Sequence, residues 1–172
     1  RNLTLDKLRV LMATSLAEDD PVEFCQATLG YYIGRAGVRP ADIRILDLSA
    51  SQRFAPCYAA FGVGGGVSGK RLVHGDYSAR MDSSDRFKVG WYSRVQQSAF
   101  RDWGYHFTFF VDIDEWLVPR PIGGVHDLRQ YLLHMSRTPA RHAVAAPHGY
   151  EVQQVTSLGE RPVDWSMGTP FA

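Results

Sequence analysis

The segment from Leu8 to Leu48 changes its periodicity twice, and this alternation limits the possible folds more than any other feature of the chain. Leu8 to Leu16 is a short apolar run that takes in polar Thr14 and Ser15 near its end, the pattern of a buried strand. Asp20-Pro21 then predicts a helix start: a side-chain oxygen covers the free amides, and proline sits where no amide is needed. Val22, Cys25, Leu29, Tyr32, Ile33 and Ala36 recur at helical spacing, and Gly37 can end the helix. Ile43, Ile45, Leu46 and Leu48 make a second strand, closed by polar Asp47, Ser49 and Ser51. Strand, helix, strand over so short a span is the βαβ unit of a parallel sheet.

The rest of the chain continues the alternation. The stretch from Arg53 to Gly75 is harder to read: it holds a possible helix near Pro56–Phe61 and the glycine run Gly62-Val63-Gly64-Gly65-Gly66. From Ser84 the helical period returns, with Phe87, Trp91, Val95, Ala99 and Trp103 in one apolar stripe. Arg94, Gln97 and Arg101 share another face, and Gly104 ends the helix. Phe107-Thr108-Phe109-Phe110-Val111, aromatic and β-branched almost throughout, is the strongest strand. Asp127 caps a helix whose inner face carries Leu128, Tyr131, Leu132 and Met135. His142 to Ala146, and then Tyr150 to Val155, read as further strands. The economical fold is an α/β sandwich of three layers around a mainly parallel, Rossmann-like sheet, in one domain over residues 1–172.

Composition excludes several classes. Of 172 residues, 45% are hydrophobic and 12% aromatic, enough for a real core and too many for disorder. A formal net charge of +1 gives no electrostatic case for nucleic acid or an anionic membrane. No apolar run reaches the roughly 18 residues that a membrane span needs. Cys25 and Cys57 are too few for a disulfide scaffold and fit no zinc spacing; Cys25 falls on the apolar helix stripe as a small core residue. The expected setting is therefore reducing and cytoplasmic, with peripheral attachment to a membrane left open. The chain starts at Arg1 and stops at Ala172 without a closing element, so both ends read as cuts.

Chemistry concentrates after the strongest strand, at Asp112-Ile113-Asp114-Glu115. In open α/β sheets, ligands bind outside the carboxyl ends of the strands. With an extended backbone, Asp112 and Asp114 would point the same way. Two such carboxylates suit Mg²⁺ or Mn²⁺, above all when phosphates complete the shell. That cation would neutralise a departing diphosphate. The same two acids would serve equally as a solvated turn or a helix cap. Glu115 could cap the turn or, the favoured reading, support the metal shell.

The block Arg94-x-x-Gln97, Asp102-Trp103-Gly104, the apolar strand and Asp112-Ile113-Asp114-Glu115-Trp116-Leu117 resembles family 2 glycosyltransferases, and a bacterial, largely uncharacterised branch most of all. The first strand with its acidic turn, Asp47-x-Ser49, His148-Gly149-Tyr150-Glu151-Val152 and Pro162-Val163-Asp164-Trp165 resemble other parts of that family. Leu48 and Ser51-Gln52 stand where many relatives carry Asn and a further acid. The resemblance implies a GT-A fold, a nucleotide-sugar donor, a divalent metal, and a saccharide, lipid or protein acceptor. It places Thr14 and Asp47 near the nucleoside, Asp112 near the ribose or metal, Asp114 on the metal, and Arg94 and Gln97 facing the donor. It also implies a further metal-binding histidine beyond Ala172.

Other readings compete. Gly64 to Arg71 is one residue short of a P-loop: Arg71 stands where the hydroxyl for Mg²⁺ is needed, and Ala55–Phe61 ahead of it reads poorly as a central strand. A mobile surface loop is the plainer account of these glycines. A GT-A-like domain could also be a binding module without chemistry. For the base that inverting transfer requires, Glu151 and Asp164 are available, but spacing selects neither. His106, His134 and His142 read as packing or surface residues, and His148, nearer the site, as more structural than ligating. Trp91 and Trp103 fit a core stripe; Trp116 either walls a sugar pocket or packs in the core.

Overall fold

The computed structural model describes residues 3–64, 67–68, 77–118 and 127–137. The chain divides into two units, Arg1–Pro139 and Ala140–Ala172, and every described residue belongs to the first. The expected strands at His142–Ala146 and Tyr150–Val155 lie outside the described residues.

The first unit is α/β. Its elements are β1 (Val10–Leu16), α1 (Val22–Gly34), a 3₁₀ turn (Pro40–Asp42), β2 (Ile43–Asp47), α2 (Ala55–Ala60), β3 (Val67–Ser68), α3 (Tyr77–Arg101), β4 (Phe107–Phe110) and α4 (Leu128–Arg137). The strands lie in the order β3-β2-β1-β4, and every pairing is parallel. β1 is central. It pairs Met12 with Ile43 on one side and Val10 with Phe107 on the other, and all seven of its residues are buried. A strand covered on both faces has no polar side to show, which explains its unbroken apolar run.

Alternation along β1 feeds two cores. Met12 and Leu16 join Cys25, Leu29 and Tyr32 of α1, Cys57 and Tyr58 of α2, and Leu128 of α4. Leu11 and Ala13 join Leu46, Leu48 and the buried stripe Trp91, Val95 and Ala99 of α3. Helices therefore cover both faces of the sheet, as expected. α3 begins at Tyr77, earlier than the apolar period suggested, and its stripe fades at both ends. Phe87 is exposed, and Trp103 is 38% exposed beneath the Arg44 guanidinium rather than in the core.

The chain-reversing residues behave as read. α1 ends at Gly34, and the Arg35 and Ala36 amides both donate to the Tyr31 carbonyl. Gly37 then takes φ +72°, a conformation only glycine adopts freely. Gly104 does the same for α3 at φ +67°. Asp127 caps α4 through the Gln130 amide at 3.0 Å. Asp20 departs from its expected role: Pro21 is the cap residue of α1, and the Asp20 carboxylate turns back to accept the Ala17 amide at 2.6 Å.

Two further expectations are corrected. Val67–Ser68, inside the glycine-rich block read as a mobile loop, form an edge strand paired with Leu46–Asp47. Cys25 and Cys57 are not free thiols: they are joined in a disulfide between α1 and α2, with Cα atoms 6.6 Å apart. A pair of this kind belongs to oxidising surroundings, so the cysteine argument for a reducing setting falls.

Candidate functional site

The strand order locates a switch point. From β1 the chain steps outward through β2 to β3, then α3 carries it back across the sheet to β4 on the far side of β1. The direction of the strand order therefore reverses at β1, and ligands of doubly wound sheets sit at such a switch point, outside the strand ends. The Asp112–Glu115 block follows β4 there, next to the exit of β1.

The backbone of that block is not extended. β4 stops at Phe110, Val111 makes one more bond to β1 through the Ala13 carbonyl, and residues 112–115 turn. The Glu115 amide donates to the Asp112 carbonyl at 3.0 Å, and the Glu115 carboxylate accepts the Asp112 amide at 3.2 Å. Both halves of that ring are local, so Glu115 caps the turn. The pleat argument for Asp112 and Asp114 is replaced by a turn, in which both carboxylates are exposed while Val111 and Ile113 are buried.

Helix α1 holds the turn down. Thr28 Oγ1 donates to the Ile113 carbonyl and accepts Trp116 Nε1 at 3.1 Å. Tyr31 OH donates to the Leu117 carbonyl at 2.8 Å. Tyr32 OH accepts the Leu117 amide at 2.9 Å and donates to the Glu115 carbonyl at 3.2 Å. Thr28, Tyr31 and Tyr32 are spaced three and four apart, so one helix face presents all three hydroxyls. Burial pushes the Tyr31 hydroxyl up to about 12, and burial likewise raises Tyr32, so both stay neutral donors. Trp116 packs against the core and lies 6.0 Å from Tyr31, ring to ring. It anchors the turn, in keeping with the core role weighed for it.

On the opposite face, α3 supplies the neighbours. Lys88 Nζ donates to Asp112 Oδ1 at 3.2 Å. One turn on, Tyr92 OH donates to Ser15 Oγ of β1 at 3.2 Å, and its ring lies 4.7 Å from that of Phe110. Burial raises the Tyr92 hydroxyl, with the Ser15 bond acting against it. Arg94 and Gln97 are both exposed, on the face of α3 away from its buried stripe. A helix linking parallel strands runs back along the sheet, so Gln97 lies about 13 Å from Lys88 along the axis. The residues brought to Asp112 are thus Lys88 and Tyr92 rather than Arg94 and Gln97.

Thr14 and Asp47 share the other face of the sheet. Leu16 is the register partner of Asp47, and Thr14 lies two residues before Leu16. Both Thr14 and Asp47 are fully buried. Asp47 Oδ1 accepts the Ser49 amide at 2.9 Å and the Ser49 hydroxyl at 2.6 Å. Among the described residues, Asp47 Oδ2 and Thr14 Oγ1 have no hydrogen-bond partner. A buried carboxylate oxygen left unpaired is uncommon in a purely structural setting. The loops beside it are stitched together: Glu18 accepts the Ala50 amide, and Arg53 donates to the Glu18 and Asp20 carbonyls. Gln52, in the same loop, is held at φ 51°, a strained value for a residue with a side chain.

The block ahead of the glycines is a helix, α2, and Val67–Ser68 lie at a sheet edge. A P-loop needs a strand leading into its glycines, so this segment does not supply one. His106 and His134 are exposed; His106 Nδ1 accepts the Arg9 amide at 3.1 Å, a packing role. Glu151, Asp164, His142 and His148 lie outside the described residues.

Sequence reasoning missed Thr28, Tyr31, Tyr32 and Lys88. For Thr28 a signal existed: it lies three residues after Cys25 and four before Tyr32, so it is a polar group in a buried stripe and must find a partner. The chain matches no protein-family profile, no curated protein and no solved structure.

Proposed function

We propose that the chain is a metal-dependent glycosyltransferase of the GT-A type, binding a nucleotide-sugar donor and passing the sugar to a saccharide, lipid or protein acceptor. The observation that carries this reading is the position of the Asp112–Glu115 turn at the β1–β4 switch point, held by side chains from both layers. Asp112 and Asp114 are oxygen donors of the kind a hard divalent cation takes. Asp112 and Asp114 offer exposed carboxylate oxygens on a fixed turn. Among the described residues no group of three or more His, Cys, Asp or Glu could enclose a metal. Mg²⁺ and Mn²⁺ suit such a partial set, since substrate phosphates and water complete their shells.

Asp112 and Asp114 would hold the cation, which supplies charge neutralisation for the diphosphate as it leaves. Glu115 keeps Asp112 in place through its amide. Thr28, Tyr31 and Tyr32 fix the turn against α1 so that it need not reorganise on binding. Asp47 Oδ2, without a hydrogen-bond partner among the described residues, is an acceptor of the kind that an N–H or O–H of a nucleoside takes. Arg94 and Gln97 take part only if the donor extends along the exposed face of α3. No described helix is long and apolar enough to cross a membrane.

The test is thermal unfolding of the whole chain with MnCl₂ and a panel of nucleotide sugars. A ligand at about a hundred times its Kd stabilises by ~2.7 kcal/mol. That corresponds to a rise of ~5–10 °C for a chain of this size. A rise requiring both metal and a nucleotide sugar supports the transferase. A rise with ATP and Mg²⁺ alone, or with nothing in the panel, overturns it.

A further inference from the structure

We propose that the amino end of the sheet docks on an anionic lipid bilayer, with Arg9, Arg44 and Arg101 on the phosphate headgroups and Phe100 and Trp103 at the boundary with the acyl chains. The proposal stands apart from the transferase reading, which concerns the opposite end of the same sheet.

Every strand pairing is parallel, so the strand starts lie at one end of the sheet and the strand exits at the other. Acids gather at the exits: Glu18, Asp19 and Asp20 follow β1, and Asp112, Asp114 and Glu115 follow β4. Arginines gather at the starts. Arg9 immediately precedes β1, Arg44 is the second residue of β2, and Arg101 ends α3, which brings the chain to the start of β4. The formal net charge of +1 thus conceals a separation of charge along the strands. An anionic surface attracts one end of such a molecule and repels the other, which sets its orientation.

Two of these guanidiniums are positioned by aromatic rings and backbone carbonyls. Arg9 lies 4.2 Å from the Tyr105 ring centre and donates to the Trp103 carbonyl. Arg44 lies 5.4 Å from the Trp103 ring centre and donates to the Ala41 and Ile43 carbonyls at 2.9 and 3.0 Å. Neither forms an ion pair with an acid among the described residues. The buried acid nearby, Asp42, is taken by Arg39 at 2.6 Å and by the Tyr105 hydroxyl at 2.7 Å. The carbonyl bonds occupy only part of each guanidinium's N–H fork, and the fork matches phosphate oxygens. Beside them the surface is apolar. Phe100 is 50% exposed and Trp103 38%, and between them the Arg101 side chain is 76% exposed. Arginine among exposed aromatic rings suits a bilayer interface, where the rings settle at headgroup level. A folded nucleic acid offers the phosphates but no apolar phase for Phe100, so the bilayer fits both halves of the surface.

The test is co-sedimentation of the whole chain with vesicles of phosphatidylcholine alone and of phosphatidylcholine mixed with anionic phosphatidylglycerol. It is run in about 0.1 M and about 1 M NaCl, between which the Debye length falls from ~10 to ~3 Å. Binding is expected only with phosphatidylglycerol and only at the lower salt. Arg44→Gln and Arg101→Gln are each expected to weaken it about fivefold, the worth of one arginine near an anionic surface. Arg44→Lys is expected to recover most of that loss. Phe100→Ser is expected to weaken binding about threefold, the worth of burying part of a ring. Arg94→Gln removes the same charge from α3 outside this surface and is expected to change binding less than about twofold. No binding to phosphatidylglycerol vesicles, binding indifferent to that lipid or to salt, or equal losses in Arg94→Gln and Arg101→Gln would overturn the proposal. So would a chain that binds a single-stranded oligonucleotide and no vesicle, which assigns the surface to nucleic acid. In each case the transferase reading stands.

Discussion

Tyr32→Phe removes one oxygen atom and keeps the ring, which makes it the sharpest probe of how the acidic turn is held. The hydroxyl makes two bonds, accepting the Leu117 amide at 2.9 Å and donating to the Glu115 carbonyl at 3.2 Å. The ring itself is fully buried and packs 5.5 Å from Phe109, so its apolar contribution survives the change. A buried donor left without a partner costs about 1–3 kcal/mol. Leu117 is half-buried and Glu115 exposed, so water recovers part of that cost. The expected loss is about 1.5 kcal/mol, or ~3–6 °C in Tm at ~2–4 °C per kcal/mol. Urea unfolding gives the stability change, and hydrogen exchange at the Leu117 amide reports the site directly. Protection there should fall further than the global change requires, because the loop opens while the core stays closed. Equal stability together with an equally protected Leu117 amide would refute the view that α1 clamps the turn.

Other perturbations follow from the same structure. Thr28→Val removes the bonds to the Ile113 carbonyl and the Trp116 indole N–H, and its effect combined with Tyr32→Phe should be non-additive, since both hold one loop; a double-mutant cycle in urea with zero coupling would count against a shared clamp. Reducing the Cys25–Cys57 bridge, which spans a sequence separation of 32, should lower stability by about 3–4 kcal/mol from loop entropy; unfolding midpoints that agree with and without reductant would contradict it. Tyr31 has a folded pKa raised from 10.0 to about 12 by burial, so its neutral form is the one the fold favours; its contribution is complete below pH 10 and is lost as pH rises toward 12, and Tyr31→Phe should flatten that alkaline limb in a stability-versus-pH series. Gly37→Ala meets a φ of +72° and brings a Cβ to 2.7 Å from Asp127 Oδ2, disturbing the α1 end and the α4 cap at once; a loss of about 1–2 kcal/mol is expected by thermal unfolding, and a neutral result would argue against the left-handed turn.

Local chemistry was the legible part of the sequence. The change from strand to helix period located β1, α1 and β2, and glycines at 37 and 104 marked the true reversals because a positive φ leaves few other residues eligible. Asp127 was readable for the same reason, since its cap is made three residues away. Asp20 misled because two local bonds were open to one carboxylate, the helix amides and the Ala17 amide, and the loop won. β3 escaped notice because two residues cannot display a period. The acidic block was found, but its shape was not: a strand pattern says where pairing stops only when the next residues break it, and Asp112 to Glu115 carry no glycine or proline. Its supports were hidden for a different reason. Thr28 lies 85 residues from Ile113, and Lys88 lies 24 from Asp112, distances over which periodicity says nothing about contact. Arg94 and Gln97 drew attention as a polar pair on one helix face; Lys88, one turn before the partly buried Tyr92, gave no pattern of its own.

The transferase reading meets its most direct test in calorimetric titration of a nucleotide sugar into the wild-type chain and into Asp114→Ala, each with and without MnCl₂. The account predicts heat of binding only for the wild type with manganese, while the two proteins unfold at the same temperature, because Asp114 is exposed and outside both cores. Binding that ignores manganese, or that persists undiminished in Asp114→Ala, would contradict it.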